Sequence, residues 1–91
     1  MSTVSPRLAR WIEQHFQDPG AASAVIEALS SLEEGERVQA AVAIWSRGNH
    51  AAFGEAIQVA RDDWRDALVR AGLQKDNWRY LLDLNLGKAD D

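Results

Sequence analysis

The sequence predicts an all-α protein, a compact array or irregular bundle of five to six helices forming a single domain over residues 5–87. Three observations predict it. Large apolar side chains recur at three- and four-residue intervals along most of the chain, as they do on the buried stripe of a helix. Ser, Asp and Asn stand where these stripes begin, and Gly where several of them end. No segment alternates apolar and polar residues with β-branched enrichment, so no sheet is expected.

The first helix is signalled by Ser5-Pro6, an N-cap followed by proline at the first helical position, where proline's missing N–H costs nothing. Leu8, Trp11, Ile12 and Phe16 form its stripe, which leaves Arg7, Arg10, Glu13, Gln14 and Gln17 for water, and it should end near Gln17. Asp18-Pro19 repeats the signal at once. A second helix over residues 19 to about 32 should bury Val25, Ile26, Leu29 and Leu32.

Ser30, Ser31, Glu33, Glu34 and Gly35 mark the next boundary, with Ser31 and Glu34 spaced as a capping box. The third helix carries Val38, Ala41, Val42 and Trp45, widened by Ile44. Gly48 is placed to end it in the left-handed conformation, and Asn49 to cap the fourth helix.

From His50 onward, Phe53, Ala56, Ile57, Ala60, Trp64, Ala67, Leu68 and Ala71 keep one helical phase, which allows a single helix from about His50 to Ala71. Asp63 as N-cap with Asp66 at N3 allows a break instead, and spacing alone does not choose between them. The stop is clearer: with Gly72 at C′, Leu68 and Leu73 become the apolar pair of a Schellman termination. Asp76 is the expected cap of the last helix, with Asn77, Trp78 and Arg79 in its first turn. Trp78, Leu81, Leu82 and Leu86 form its buried side, Leu84 lies at the edge or outside, and Gly87 ends it. Residues 1–4 and the acidic tail 88–91 are expected to be flexible segments.

Ninety-one residues make one modest core. The chain has no cysteine, which excludes disulfides, thiolate metal sites and thiol catalysis. Nothing resembles a signal segment or a membrane span, so a cytoplasmic protein without membrane association is expected. Ten basic against fourteen acidic residues give a net charge of −4, which disfavours nucleic acid as a partner.

Residues capable of catalysis or metal binding are present but do not fall into working patterns. His15 and His50 lie outside any metal-ligand spacing; the first reads as a helix-flank residue and the second as an exposed first-turn residue. The acidic groups Glu33, Glu34, Glu36 and Asp62, Asp63, Asp66 are explained by helix-end charge and lack the histidine partners of a helical metal site. Phosphate-binding glycine loops and nucleophile elbows are absent. No catalytic residue, cofactor or metal is therefore expected, and an enzyme is not the expected class.

One pattern asks for a functional reading. RDDWRDAL at residues 61–68 returns fourteen positions later as KDNWRYLL at residues 75–82, so Asp-x-Trp-Arg is written twice. Trp64, Arg65, Trp78 and Arg79 could form a cationic aromatic surface for an acidic peptide or phosphate. Capping by Asp and core filling by Trp explain the same pattern more cheaply. Four tryptophans are nevertheless many for so small a core, and indoles are favoured at protein interfaces. The expectation is a non-catalytic module that binds a protein partner, including its own copy as a homo-oligomer, with these four residues as the candidate surface. The alternative is a DNA-binding regulator, because residues 67–83 loosely resemble a helix-turn-helix, although the helix after the turn begins with Asp76, carries Asp83 and offers mainly Arg79 and Asn77 for base or phosphate contacts.

The stretches ERVQAAVAIW, FGEAIQVARDDWRDALVRAGL and DNWRYLLDLNLG, spanning roughly residues 36 to 87, resemble a set of small bacterial helical proteins of uncharacterised function. That resemblance implies a stand-alone helical domain. It brings no activity and no functional residue.

Overall fold

The computed structural model describes residues 4–32 and 35–87. Among them are six helices and no strand: α1 (Pro6–His15), α2 (Pro19–Ser31), α3 (Glu36–Ser46), α4 (His50–Asp62), α5 (Trp64–Ala71) and α6 (Trp78–Leu86). The all-α fold is as the apolar spacing predicts.

Most boundaries obey local capping chemistry. The Ser5 hydroxyl accepts from the Leu8 amide, Asp18 from Gly20 and Asn49 from Ala52, each satisfying a donor that the first helical turn leaves without an intrahelical partner. α1 stops at His15, a little short of Gln17, because Phe16 is already extended and turns its ring into the core.

The chain between His50 and Ala71 is divided, and Asp63 divides it. Its backbone is extended (φ −155°, ψ 100°), and its N–H closes α4 on the Val59 carbonyl at 2.7 Å while its carboxylate opens α5 by accepting from Arg65 N–H at 3.1 Å. One residue thus ends one helix and starts the next. At the far end of α5, Leu73 N–H reaches the Leu68 carbonyl at 2.8 Å and Gly72 N–H the Val69 carbonyl at 3.2 Å. This is the Schellman pattern, and both leucines are buried.

Three boundary expectations need correction. Ser31 stays inside α2 with its hydroxyl donating to the Ala28 carbonyl, and α3 is entered from Gly35 without a side-chain cap; Glu34 lies outside the described residues. Asp76 is not a cap, because residues 75–78 form a turn closed by Trp78 N–H on the Lys75 carbonyl, and α6 begins one residue later than expected, after Asn77. The left-handed exit from α3 starts at Arg47 and continues through Gly48. Of the predicted flexible segments 1–4 and 88–91, only Val4 lies within the described residues, and it packs against the core.

α3 is the central element, packing against α1, α4, α5 and α6. Its run Gln39 to Ala43 is buried on every side. Alanines at positions 40, 41 and 43 permit this, since small side chains let neighbouring helices approach from several directions. Leu8 and Ile12 of α1, Val25 and Leu29 of α2, Val42 of α3 and Leu82 of α6 meet in the interior, and Phe16 meets Phe53 edge-to-face at 6.1 Å.

Buried Gln39 donates to the Leu29 carbonyl, which lies in the last turn of α2. A second polar side chain is buried against expectation. Arg7 lies in the protein rather than in water, joining α1 to α3 and α6 through Glu36, Asp83 and the Gly87 carbonyl. It precedes Trp11 by four residues and so shares the face of that buried indole.

Candidate partner-binding surface

The four indoles occupy graded positions, from the buried Trp11 through half-buried Trp45 and Trp78 to exposed Trp64. Each has a flat partner. Trp11 stacks on His15 with centroids 4.0 Å apart, an arrangement fixed by their i, i+4 spacing and by His15 Nδ1 lying 2.8 Å from the Trp11 carbonyl oxygen. His15 itself is exposed beside the buried stripe of α1. Arg70 lies over Trp45 and Arg65 over Trp64, while Arg37 and Arg79 both lie over Trp78.

The two copies of Asp-x-Trp-Arg are not equivalent. In the first, Asp63 caps α5 and Trp64 is its first residue. The second copy has no cap, and its indole is held from outside by α3, because Arg37 spans between the Trp78 ring and the Leu73 carbonyl. Trp64 therefore marks the start of α5, and Trp78 sits beside the residue just past its end, roughly 12 Å along the helix axis. The four candidate residues do not form one patch.

Arg37 belongs to this surface although nothing in the sequence pattern marks it. It lies 41 residues before Trp78, and no spacing rule connects them. On the outer face of α6, Leu84 is exposed, one of the two placements its spacing allowed, and Tyr80 joins it. Tyr80 and Leu84 are 63% and 62% exposed and lie one helical turn apart, opposite buried Leu82 and Leu86. Val69 on α5 is exposed as well.

Other surfaces offer less chemistry. Two shallow clefts of about 490 and 300 Å³ flank Phe16 and Gln17. The larger includes Asp18, already engaged as the α2 cap, and exposed His50. Among the described residues no three His, Asp or Glu side chains gather as a metal-binding group. Nor is any described helix long and apolar enough to cross a membrane. In the segment likened to a helix-turn-helix, α5 leans mainly on α3 and α4, whereas α6 leans on α1 and α3.

No protein-family model, curated protein or solved structure matches this chain. The fold defines a small all-α domain, and the surface has to be read from its own residues.

Proposed function

We propose that this protein is a non-catalytic helical interaction module that engages a protein partner through the exposed face of α6. The observation that carries the reading is the composition of α6, whose nine residues place large apolar side chains on both faces. Among exposed Arg79, Asp83 and Asn85, the outer face carries an apolar pair one turn apart, and exposed apolar patches mark interaction sites. Here Tyr80 and Leu84 have no covering element among the described residues, and a partner would supply one.

The size of the surface limits the kind of complex. The two exposed apolar side chains of α6, Tyr80 and Leu84, offer far less than the roughly 800 Å² per partner of a standard stable interface. The reading is therefore of a weak, reversible contact, with a second copy of the chain or a different protein as partner.

Light scattering over a wide concentration range, together with affinity capture from native cells, tests it. The parent should self-associate or retain a partner that a Tyr80→Ser/Leu84→Ser variant loses while keeping its thermal stability. A strict monomer that retains no partner would refute the reading.

A further inference from the structure

The geometry points to a carboxylate-binding site at the turn between α5 and α6, where Arg37 and Arg79, both lying over Trp78, grip acidic side chains of an extended peptide segment. This inference rests on the reading of the protein as a partner-binding module and names the chemistry of the partner.

Arg37 and Arg79 come from different helices and converge on one ring. Their guanidinium carbons lie 4.9 and 4.5 Å from the Trp78 centroid, so the two cations are no farther apart than the sum of those distances. A guanidinium held over an indole by its charge keeps its N–H groups for other partners. Arg37 spends Nε and Nη2 on the Leu73 carbonyl, at 2.9 and 2.7 Å, which fixes its plane and keeps Nη1 available. Arg79 is exposed. Among the described residues neither guanidinium is ion-paired.

The other indole–arginine pairs lack this combination. Arg70, over Trp45, is already paired with Asp66 at 3.1 Å. Arg65, over Trp64, is among the described residues the single cation on that ring, beside a helix start carrying Asp63 and Asp66. Among the described residues only Trp78 brings two cations together, with Lys75 adding a third positive charge in the adjoining turn and Asp76 a single negative one.

The pairing of two guanidiniums selects the ligand. Every second side chain of an extended peptide points the same way, about 7 Å apart, which suits two acids, one forking onto Arg79 and the other meeting Arg37 Nη1. A nucleic acid is a poorer fit, because its affinity grows with the number of phosphates neutralised and this site offers three cations on a chain of net charge −4.

The test follows the Trp78 indole N–H signal by NMR during titration with a hexaglutamate peptide, using hexaglutamine, pyrophosphate and a short single-stranded oligonucleotide as comparators. Hexaglutamate should shift that signal saturably, and Arg79→Ala should weaken binding roughly tenfold, as loss of a charge-assisted hydrogen-bond pair does. Arg79 is the residue to remove, since Arg37 also holds the backbone. Asp76→Asn should tighten binding, and Arg65→Ala should leave it unchanged. An unmoved Trp78 signal, equal binding by Arg79→Ala, or an equal response to pyrophosphate or the oligonucleotide would overturn the assignment. The Tyr80→Ser/Leu84→Ser variant should bind hexaglutamate like the parent. Partner capture without peptide binding sinks this site alone; peptide binding without any partner sinks the interaction reading.

Discussion

Arg7 and Glu36, 29 residues apart in sequence, meet as a forked ion pair: Arg7 Nε lies 2.9 Å from one carboxylate oxygen and Nη2 2.7 Å from the other. The remaining nitrogen, Nη1, reaches Asp83 at 2.6 Å and the Gly87 carbonyl at 2.9 Å. One side chain thereby ties the first helix to the third and to the end of the last. Replacing Arg7 with methionine would fill the space and strand two carboxylates. Breaking a buried pair costs about 3–5 kcal/mol, and partial exposure of Glu36 and Asp83 reduces this to about 2–3 kcal/mol. The urea midpoint of Arg7→Met should fall accordingly, and an unchanged midpoint would contradict the tie.

The same pair makes stability depend on pH. The Arg7 hydrogen bonds hold the Glu36 carboxyl below the ordinary glutamate range; burial opposes this, and the Ser5 hydroxyl and the Arg7 charge add to the lowering. A carboxyl whose folded-state pKa is depressed contributes stability above its unfolded pKa, about 4.3, and loses that contribution as pH falls through the folded value. Melting temperature should thus decline on acidification below about pH 4.3. Glu36→Gln should be less stable than the parent at neutral pH and lose part of that decline. Parallel curves for the two proteins would remove Glu36 from the account. Arg7 is raised far above the accessible pH range and adds no slope.

Asp63 and Asp76 occupy matching places in the repeated motif and should respond differently to alanine. Asp63 caps α5 with its carboxylate, so Asp63→Ala should cost about 1 kcal/mol. Asp76 is exposed in a turn and caps nothing, so Asp76→Ala should stay within about 0.5 kcal/mol of the parent. Equal losses in chemical denaturation would restore the equivalence that the sequence suggests.

Gly48 and Gly72 both adopt positive φ, at 80° and 76°, yet their surroundings differ. A Cβ on Gly48 would stand 2.5 Å from the His15 carbonyl oxygen, whereas one on Gly72 would meet nothing within 4 Å. Gly72→Ala should cost about 1–2 kcal/mol for the left-handed backbone alone. Gly48→Ala should cost clearly more, because α1 or the turn must also move. Thermal melts of the two variants decide the order.

Much of the architecture is legible in the amino-acid order. Ser5, Asp18, Asn49 and Gly72 act as caps where expected, because capping is a bond between groups two to five residues apart and the local run of residues encodes it. The division at Asp63 is half-legible. Both a cap and a continuous apolar phase are written there, and packing on α3 has to choose between them.

The candidate site is less legible. Trp64, Arg65, Trp78 and Arg79 are identifiable as a repeated pattern, but the contact of Arg37 with the Trp78 ring and the Leu73 carbonyl joins residues 36 and more positions apart and is not. Helical phase assigns Arg7 to water, since the acids that bury it lie 29 and 76 residues away.

The order of residues alone determined that this chain is helical, where most of its helices begin and end, and which stripes turn inward, because those outcomes depend on side chains within about one helical turn of one another. The tertiary structure alone decided that Arg7 becomes an internal tie and that Arg37 joins Arg79 over the Trp78 ring. Those relationships join residues distant along the chain, and only the packing of α1, α3 and α6 brings their charges close enough to interact.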